Sequence, residues 1–104
     1  MCGIIAAACQ RPVASLLISG LERLEYRGYD SAGIAIEAPD ATLLCREVGK
    51  VAELKASFSK QDQAQWQGTL GIGHTRWATH GEVNLDNTHP HRAGDVVLVH
   101  NGIM

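Results

Sequence analysis

The sequence has no hydrophobic run long enough to cross a membrane. Its longest apolar run, residues 4–9, contains six residues, whereas a transmembrane helix needs about 20. No basic segment followed by an apolar stretch opens the chain, so we expect no secretory signal. Aromatic residues make up only 5% of the chain, and neither sign of charge dominates, since the formal net charge is −2. This balance argues against a nucleic-acid partner, because binding phosphates without regard to sequence requires a basic surface.

Cysteine is also scarce, and its three residues, Cys2, Cys9 and Cys45, show no C-x-x-C spacing. With no export signal, we expect a reducing, cytoplasmic compartment and three free thiols. We interpret Cys9 and Cys45 as small buried hydrophobic residues. Removal of Met1 would leave Cys2 with both a nucleophilic thiol and an α-amine that can act as a base. The alternative is that Cys2 only begins a buried strand.

The residues that are present favour one globular domain, or part of one, with mixed α and β structure. Apolar residues make up 45% of the 104 residues and charged residues 19%, so disorder is not expected. Periodicity and turn residues predict strands at residues 3–8, 32–37, 42–48, 69–74 and 95–100, and helices at residues 12–26 and 51–58. We expect the first and last strands to be buried and the second and third to form a hairpin. The apolar face of the first helix comprises Val13, Leu16, Leu17, Leu21 and Leu24, and Gly28 is expected to end this helix. We interpret residues 59–68 as an exposed connection and residues 76–91 as a polar loop. A loop this long, and a last strand that no helix covers, suggest the N-terminal piece of a longer protein.

Five histidines raise the possibility of a metal site. His89-Pro90-His91 holds two imidazoles close together, and Cys45 could join them. However, the spacings match no tetrahedral template, so a hydrogen-bonded turn is the favoured interpretation. Gly71-x-Gly73 lacks the lysine and hydroxyl residue of a phosphate-binding loop. The sequence therefore predicts neither a metal nor an organic cofactor.

Three segments favour chemistry of a different kind. Arg76 directly follows a predicted strand, where its guanidinium could bind a carboxylate through two parallel hydrogen bonds. Asn101 and Gly102 follow another strand, and their amide groups could stabilise an oxyanion. Residues 27–33 contain two glycines, which suggests a close approach of two backbones. Taken singly, these features are also compatible with a surface arginine, a simple Asn-Gly turn and an ordinary loop.

Taken together, the segments resemble a known family. The residues MCGI at 1–4, EYRGYDSAG at 25–33, HTRWATHG at 74–81 and HNGI at 100–103 resemble the glutaminase domain of the glucosamine-6-phosphate synthase family. These enzymes are N-terminal-nucleophile, or class II, glutamine amidotransferases. The tyrosines of the second motif favour this family over the related amidophosphoribosyltransferases, which usually have histidine and glutamine in that motif. The resemblance covers essentially the whole chain.

The resemblance implies a fold, a reaction and a set of site residues. The implied α+β fold is a four-layer α/β/β/α sandwich of mainly antiparallel sheets. Cys2 would attack the γ-amide of glutamine, and Asn101 and Gly102 would stabilise the oxyanion. The residues matching the family's substrate-contacting segments are Arg76, Trp77, Thr79, His80 and Arg27. Ammonia would pass to fructose-6-phosphate to give glucosamine-6-phosphate, in a complete protein that the family leads us to expect as a homodimer.

The resemblance also leaves parts of the family pattern unaccounted for. Ala6 and Ala7 stand where the family often has a glycine, which we interpret as packing variation. The family's aspartate for the substrate ammonium would lie beyond residue 104, as would the sugar isomerase domains. We therefore expect residues 1–104 to be the N-terminal part of a glutaminase domain and to be inactive alone. Two alternatives remain open: the glutaminase part of another class II amidotransferase, and an inactive remnant.

Overall fold

The computed structural model describes residues 3–25, 30–76, 85 and 88–100. Within these residues a four-stranded antiparallel sheet lies beside two helices, and a separate two-stranded hairpin follows it. The elements in chain order are β1 (Gly3–Ala8), α1 (Ala14–Leu24), β2 (Ser31–Glu37), β3 (Thr42–Val48), α2 (Val51–Ser59), β4 (Leu70–Arg76), β5 (His91–Ala93) and β6 (Val96–Leu98). The predicted mixed α and β structure with antiparallel sheets is confirmed.

The order of the main sheet is β1-β4-β2-β3. Strands β2 and β3 form the predicted hairpin, with Ser31 opposite Val48 and Glu37 opposite Thr42. Strand β4 comes later in the chain and inserts between β1 and β2, antiparallel to both. The start of β1, the end of β4 and the start of β2 therefore lie next to one another at one end of the sheet.

One face of the sheet, which we call the helix face, packs against α1 and α2. Alternate residues of β2 pack in the core against the buried side of α1. The residues of β2 are Ala32, Ile34 and Ile36, and those of α1 and the position before it are Val13, Leu17, Ile18 and Leu21. The glycines of β4 let α1 approach the sheet. A Cβ atom at Gly71 would lie 2.8 Å from Leu17 Cδ1, and one at Gly73 would lie 3.2 Å from Leu21 Cδ1.

The structure corrects several sequence-based predictions for the helix α1 and strand β1. Helix α1 ends at Leu24 rather than near residue 26, and Gly28, its predicted terminator, lies outside the described residues. Leu16, predicted to be buried, is 43% exposed, and Ile18 takes its place in the core. Strand β1 is half-exposed rather than buried, because it lies at the sheet edge and only alternate residues contact the core.

Further corrections concern a cysteine and two segments in the second half of the chain. Cys9 is exposed and its thiol donates to the Arg11 carbonyl at 3.3 Å, whereas Cys45 is buried as predicted. The connection at residues 59–68 is not wholly exposed, because Trp66 packs edge-on against Phe58 with ring centroids 5.2 Å apart. Strand β6 is three residues long and pairs with β5, leaving Val96 58% exposed rather than buried.

A membrane-spanning helix is not found in the described parts of the chain, where no helix combines the required length with the required apolar character.

Candidate functional site

The end of strand β4 carries Arg76, the one predicted site residue that lies within the described residues. Arg76 is 8% exposed and pairs with Ser31 across the sheet. Its carbonyl accepts a hydrogen bond from the Asp30 amide at 2.9 Å, and the Ser31 hydroxyl donates to the Asp30 carboxylate at 3.0 Å. Two of the motifs recognised in the sequence, at residues 25–33 and 74–81, therefore meet at this point.

Strand β1 begins beside the same end of β4. Gly3 pairs with Thr75, and a Cβ atom at Gly3 would lie 2.8 Å from Thr75 Oγ1 and 3.3 Å from Leu24 Cβ. A larger residue would push the strand away from β4, so glycine allows this close approach. Cys2 is bonded directly to Gly3 in the sequence and lies outside the described residues.

The segment that contains Arg27 is fixed at both of its ends. Glu25 ends helix α1 and accepts a hydrogen bond from the Val51 amide at 2.7 Å, where helix α2 begins. A carboxylate is favourable there because the first amides of a helix are unpaired and the helix dipole is positive at that end. At the other end, the Asp30 carbonyl accepts from the Gly49 amide at 2.7 Å. Arg27 itself lies outside the described residues.

Three imidazoles, which we call the imidazole column, lie on the face of the sheet opposite the helices. His74 is fully buried two residues before Arg76 on β4, so both side chains leave the strand on the same face. The His89 ring stacks on the His74 ring with centroids 4.0 Å apart. The His91 ring follows, 4.1 Å from His89. We call this side of the sheet the outer face.

Strand β2 is shaped to accept the chain segment that carries His89. Gly33 lies between His74 and Arg46 in the sheet, and a Cβ atom there would collide with the His89 carbonyl oxygen and lie 2.9 Å from Pro90 Cδ. This observation confirms the predicted close backbone approach at Gly33. The Arg46 guanidinium also donates to the Thr88 carbonyl at 3.2 Å, which holds the segment on the sheet.

The surroundings of the column keep His89 and His91 neutral at physiological pH. Burial lowers the pKa of His89 to about 3, with further contributions from His74, His91, Arg76 and His100. Burial also lowers the pKa of His91, assisted by the positive charges of Arg46 and Arg76. Arg76 contributes to both shifts, and it shares the outer face with His74, which lies two residues before it on β4.

The arrangement of the histidines does not support the metal-site alternative. The rings of the column stack on one another instead of converging on a point. Cys45, considered above as a further ligand, lies on the helix face and contacts Ser57 Oγ at 3.8 Å. Within the described residues, no three histidine, cysteine or acidic side chains are grouped in a way that could hold a metal ion.

Seven of the eight predicted site residues lie outside the described residues: Cys2, Arg27, Trp77, Thr79, His80, Asn101 and Gly102. Sequence reasoning does not predict the column, nor the hydrogen bond by which Glu25 caps helix α2. It had considered His89 and His91 only as metal ligands or turn residues, and had not connected them with His74. The sequence feature that could have indicated the column is His74, two residues before Arg76, together with Gly33 in the neighbouring strand.

Comparison with known proteins gives close relatives and one related structure. The chain is 55% identical over 105 residues to the glutamine–fructose-6-phosphate aminotransferase [isomerizing] of Vibrio parahaemolyticus. It is 52% identical to the proteins of the same name from Acinetobacter baylyi and Staphylococcus epidermidis. Each match covers the whole chain but only 16–17% of the relative. A scan against protein-family models found no match.

The related structure is the glutamine phosphoribosylpyrophosphate amidotransferase of B. subtilis. Its TM-score is 0.66 at 23% identity, and the match covers 84% of this chain and 18% of that one. At this identity the likeness shows the fold alone. It confirms an α+β fold with mainly antiparallel sheets, and the resemblance identified from the motifs is confirmed by the relatives.

Proposed function

Because the chain corresponds over its whole length to the N-terminal region of the glutamine–fructose-6-phosphate aminotransferase family, we propose that it forms part of the glutamine-hydrolysing domain of such an enzyme. It spans about 17% of the length of these relatives. The proposal therefore concerns residues 1–104 as one part of a glutaminase domain. The complete protein would also contain sugar isomerase domains and form a homodimer in the cytoplasm.

The proposed chemistry is hydrolysis of the glutamine amide through a thioester. The thiol of Cys2 loses its proton to the α-amine and attacks the γ-carbonyl carbon. Asn101 and Gly102 stabilise the oxyanion of the tetrahedral intermediate. The intermediate collapses as the α-amine returns the proton to the leaving ammonia. Water then hydrolyses the γ-glutamyl thioester, which gives glutamate and restores the thiol.

Arg76 is the residue whose described geometry carries this proposal. Arg76 is 8% exposed and ends the strand in which the preceding residue, Thr75, pairs with Gly3, the residue bonded to Cys2. A buried arginine suits the α-carboxylate of an amino-acid substrate, because two parallel charge-assisted hydrogen bonds fix its orientation. Trp77, Thr79, His80 and Arg27 would contribute further substrate contacts.

The proposed acceptor of the ammonia is fructose-6-phosphate, and the product is glucosamine-6-phosphate. This step is supported by the similarity to the aminotransferases, whose name includes fructose-6-phosphate and isomerisation. The residues of the present chain would supply ammonia but would not bind the sugar.

The decisive test is Cys2→Ala in the complete protein. We expect glutamate release to fall by at least about 10³-fold, because removal of the nucleophile abolishes the thioester route. Synthesis of the amino sugar from added ammonia would persist. Cys9→Ala provides a matched control, since the Cys9 thiol is exposed and only bonds the neighbouring Arg11 carbonyl. Unchanged glutamate release in Cys2→Ala would overturn the proposal.

A further inference from the structure

The imidazole column has no part in the hydrolysis proposed above, although it lies on the same face of the sheet as Arg76. His74 and Arg76 are two residues apart on β4 and leave it on the same face, and the His89 ring stacks on His74 with centroids 4.0 Å apart. Neither His89 nor His91 carries a positive charge at neutral pH that could pair with a substrate carboxylate. What the column offers its neighbour Arg76 is its shape and its rigidity.

The column is held in place by groups outside it. Gly33 provides the space for the His89 backbone, and Arg46 holds the Thr88 carbonyl at 3.2 Å. Thr88 and Pro90, the residues on either side of His89, are both buried. The segment is thus fixed to the sheet through its backbone, and the His89 ring is fixed on His74 as a consequence.

A fixed stack of rings limits the volume into which a neighbouring side chain can turn. Arginine has a long side chain that loses rotamer entropy when it is immobilised. If its surroundings already restrict it in the free protein, less of that entropy is lost when a carboxylate binds. The column is suitable for this restriction because its rings are packed and because His89 and His91 are uncharged.

We propose that the imidazole column positions Arg76 for substrate binding, with His89 as the residue that transmits the constraint from Gly33 to the guanidinium. His74, His89 and His91 are positioning residues in this proposal, and none of them touches the reacting atoms. The inference rests on the proposed function, in which Arg76 binds the α-carboxylate of glutamine. It adds that the affinity of this site depends on residues of β2 and of the segment before β5.

The first test is glutaminase kinetics of the complete protein with substitutions of His89. His89→Ala removes the central ring, and we expect the KM for glutamine to rise about tenfold while kcat changes less than about threefold. His89→Phe restores a ring of similar size without a titratable group, and its KM is expected to stay within about threefold of wild type. A merely structural role would not produce this rescue together with a selective effect on KM.

A second test displaces His89 through a substitution in the neighbouring strand β2. Gly33→Ala places a methyl group where the His89 carbonyl lies, and we expect the same selective rise in KM although no ring is removed. Phe58→Leu is the matched control, because Phe58 is a buried ring on the helix face. We expect it to lower stability while the KM for glutamine remains unchanged.

A double-mutant cycle tests whether the column acts through Arg76. If it does, adding His89→Ala to Arg76→Ala should raise KM by less than about twofold over Arg76→Ala alone. Full additivity would overturn the inference. So would a fall in kcat at constant KM in His89→Ala, a failure of His89→Phe to restore KM, or an unchanged KM in both His89→Ala and Gly33→Ala.

These outcomes are distinct from failure of the proposed function. If Arg76→Ala raises KM and the column variants do not, the glutamine site stands and the positioning role is wrong. If Arg76→Ala leaves KM unchanged, Arg76 does not bind the substrate, and both proposals for this residue fail.

Discussion

Both faces of the main sheet contain glycines that let another part of the chain approach closely, but the groups that approach are different. On the helix face, Gly71 and Gly73 make room for leucines of α1, and the contacts are between aliphatic side chains. On the outer face, Gly33 makes room for a backbone segment that brings a histidine onto another histidine. The helix face therefore stabilises the fold, whereas the outer face holds buried polar groups close to Arg76.

The difference teaches that burial alone does not distinguish packing from function in this chain. Leu17 and His74 are both fully buried. Leucine gains free energy from burial, whereas a buried polar side chain needs a specific environment to offset its desolvation. Buried histidine and arginine side chains on one face are thus the stronger indication of a binding site.

The largest effect on stability is expected from the helix face. Leu17→Ala should lower the free energy of unfolding by about 2–5 kcal/mol, because it removes a fully buried side chain and leaves a cavity. Leu16→Ala, on the exposed side of the same helix, should change it by less than about 0.5 kcal/mol. Denaturation midpoints of the complete protein measure both. A large rise in the KM for glutamine in folded Leu17→Ala would contradict the separation of the two faces.

A smaller effect is expected where the two helices meet, because Glu25, at the end of α1, caps helix α2. Glu25→Gln removes the charge at the helix N-terminus and should lower the free energy of unfolding by about 0.3–1 kcal/mol. Glu22→Gln is the matched control, because Glu22 only pairs with Lys55 at 3.6 Å on the surface. Equal midpoints for the two variants would show that the contact between Glu25 and Val51 contributes nothing measurable.

A further difference between the two faces concerns acid stability. The folded state lowers the pKa of His89 from 6.5 to about 3, so the unfolded chain binds the proton more readily. The resulting stability is fully present above about pH 6.5 and is lost as the pH falls toward about 3. Between pH 7.5 and 5.0, the Tm of the wild type should therefore fall further than that of His89→Phe. Equal decreases would contradict a neutral, buried His89.

Much of the fold could be predicted from local sequence patterns. Strand β3 agrees with the prediction at both ends, and helix α2 differs by one residue, because short apolar periods and turn residues define them locally. The exposure of β1 and β6 could not be predicted, since it depends on which strands occupy the sheet edges. Trp66 was misjudged for the same reason: its partner Phe58 lies in another element.

The candidate site was predictable only in part. The position of Arg76 at a strand end and the close backbone approach at Gly33 followed from the strand and glycine patterns, whereas the role of Arg76 in substrate binding remains a prediction. The column did not, because His74 and His89 are far apart in sequence and meet only through the close approach at Gly33. Cys2, Asn101 and Gly102 remain predictions that rest on the resemblance to the family.

The most direct test of the account is the effect of Arg76→Ala on two substrates of the complete protein. For glutamine, the account predicts a loss of about 10- to 150-fold in kcat/KM, mainly through KM, because a charge-assisted hydrogen bond contributes about 1.5–3 kcal/mol. For a glutamine analogue without the α-carboxylate, wild type and variant should differ by less than about threefold. Arg11→Ala, at an exposed position, should affect neither substrate. An equal loss for glutamine and for the analogue would contradict the assignment of Arg76 to the substrate carboxylate.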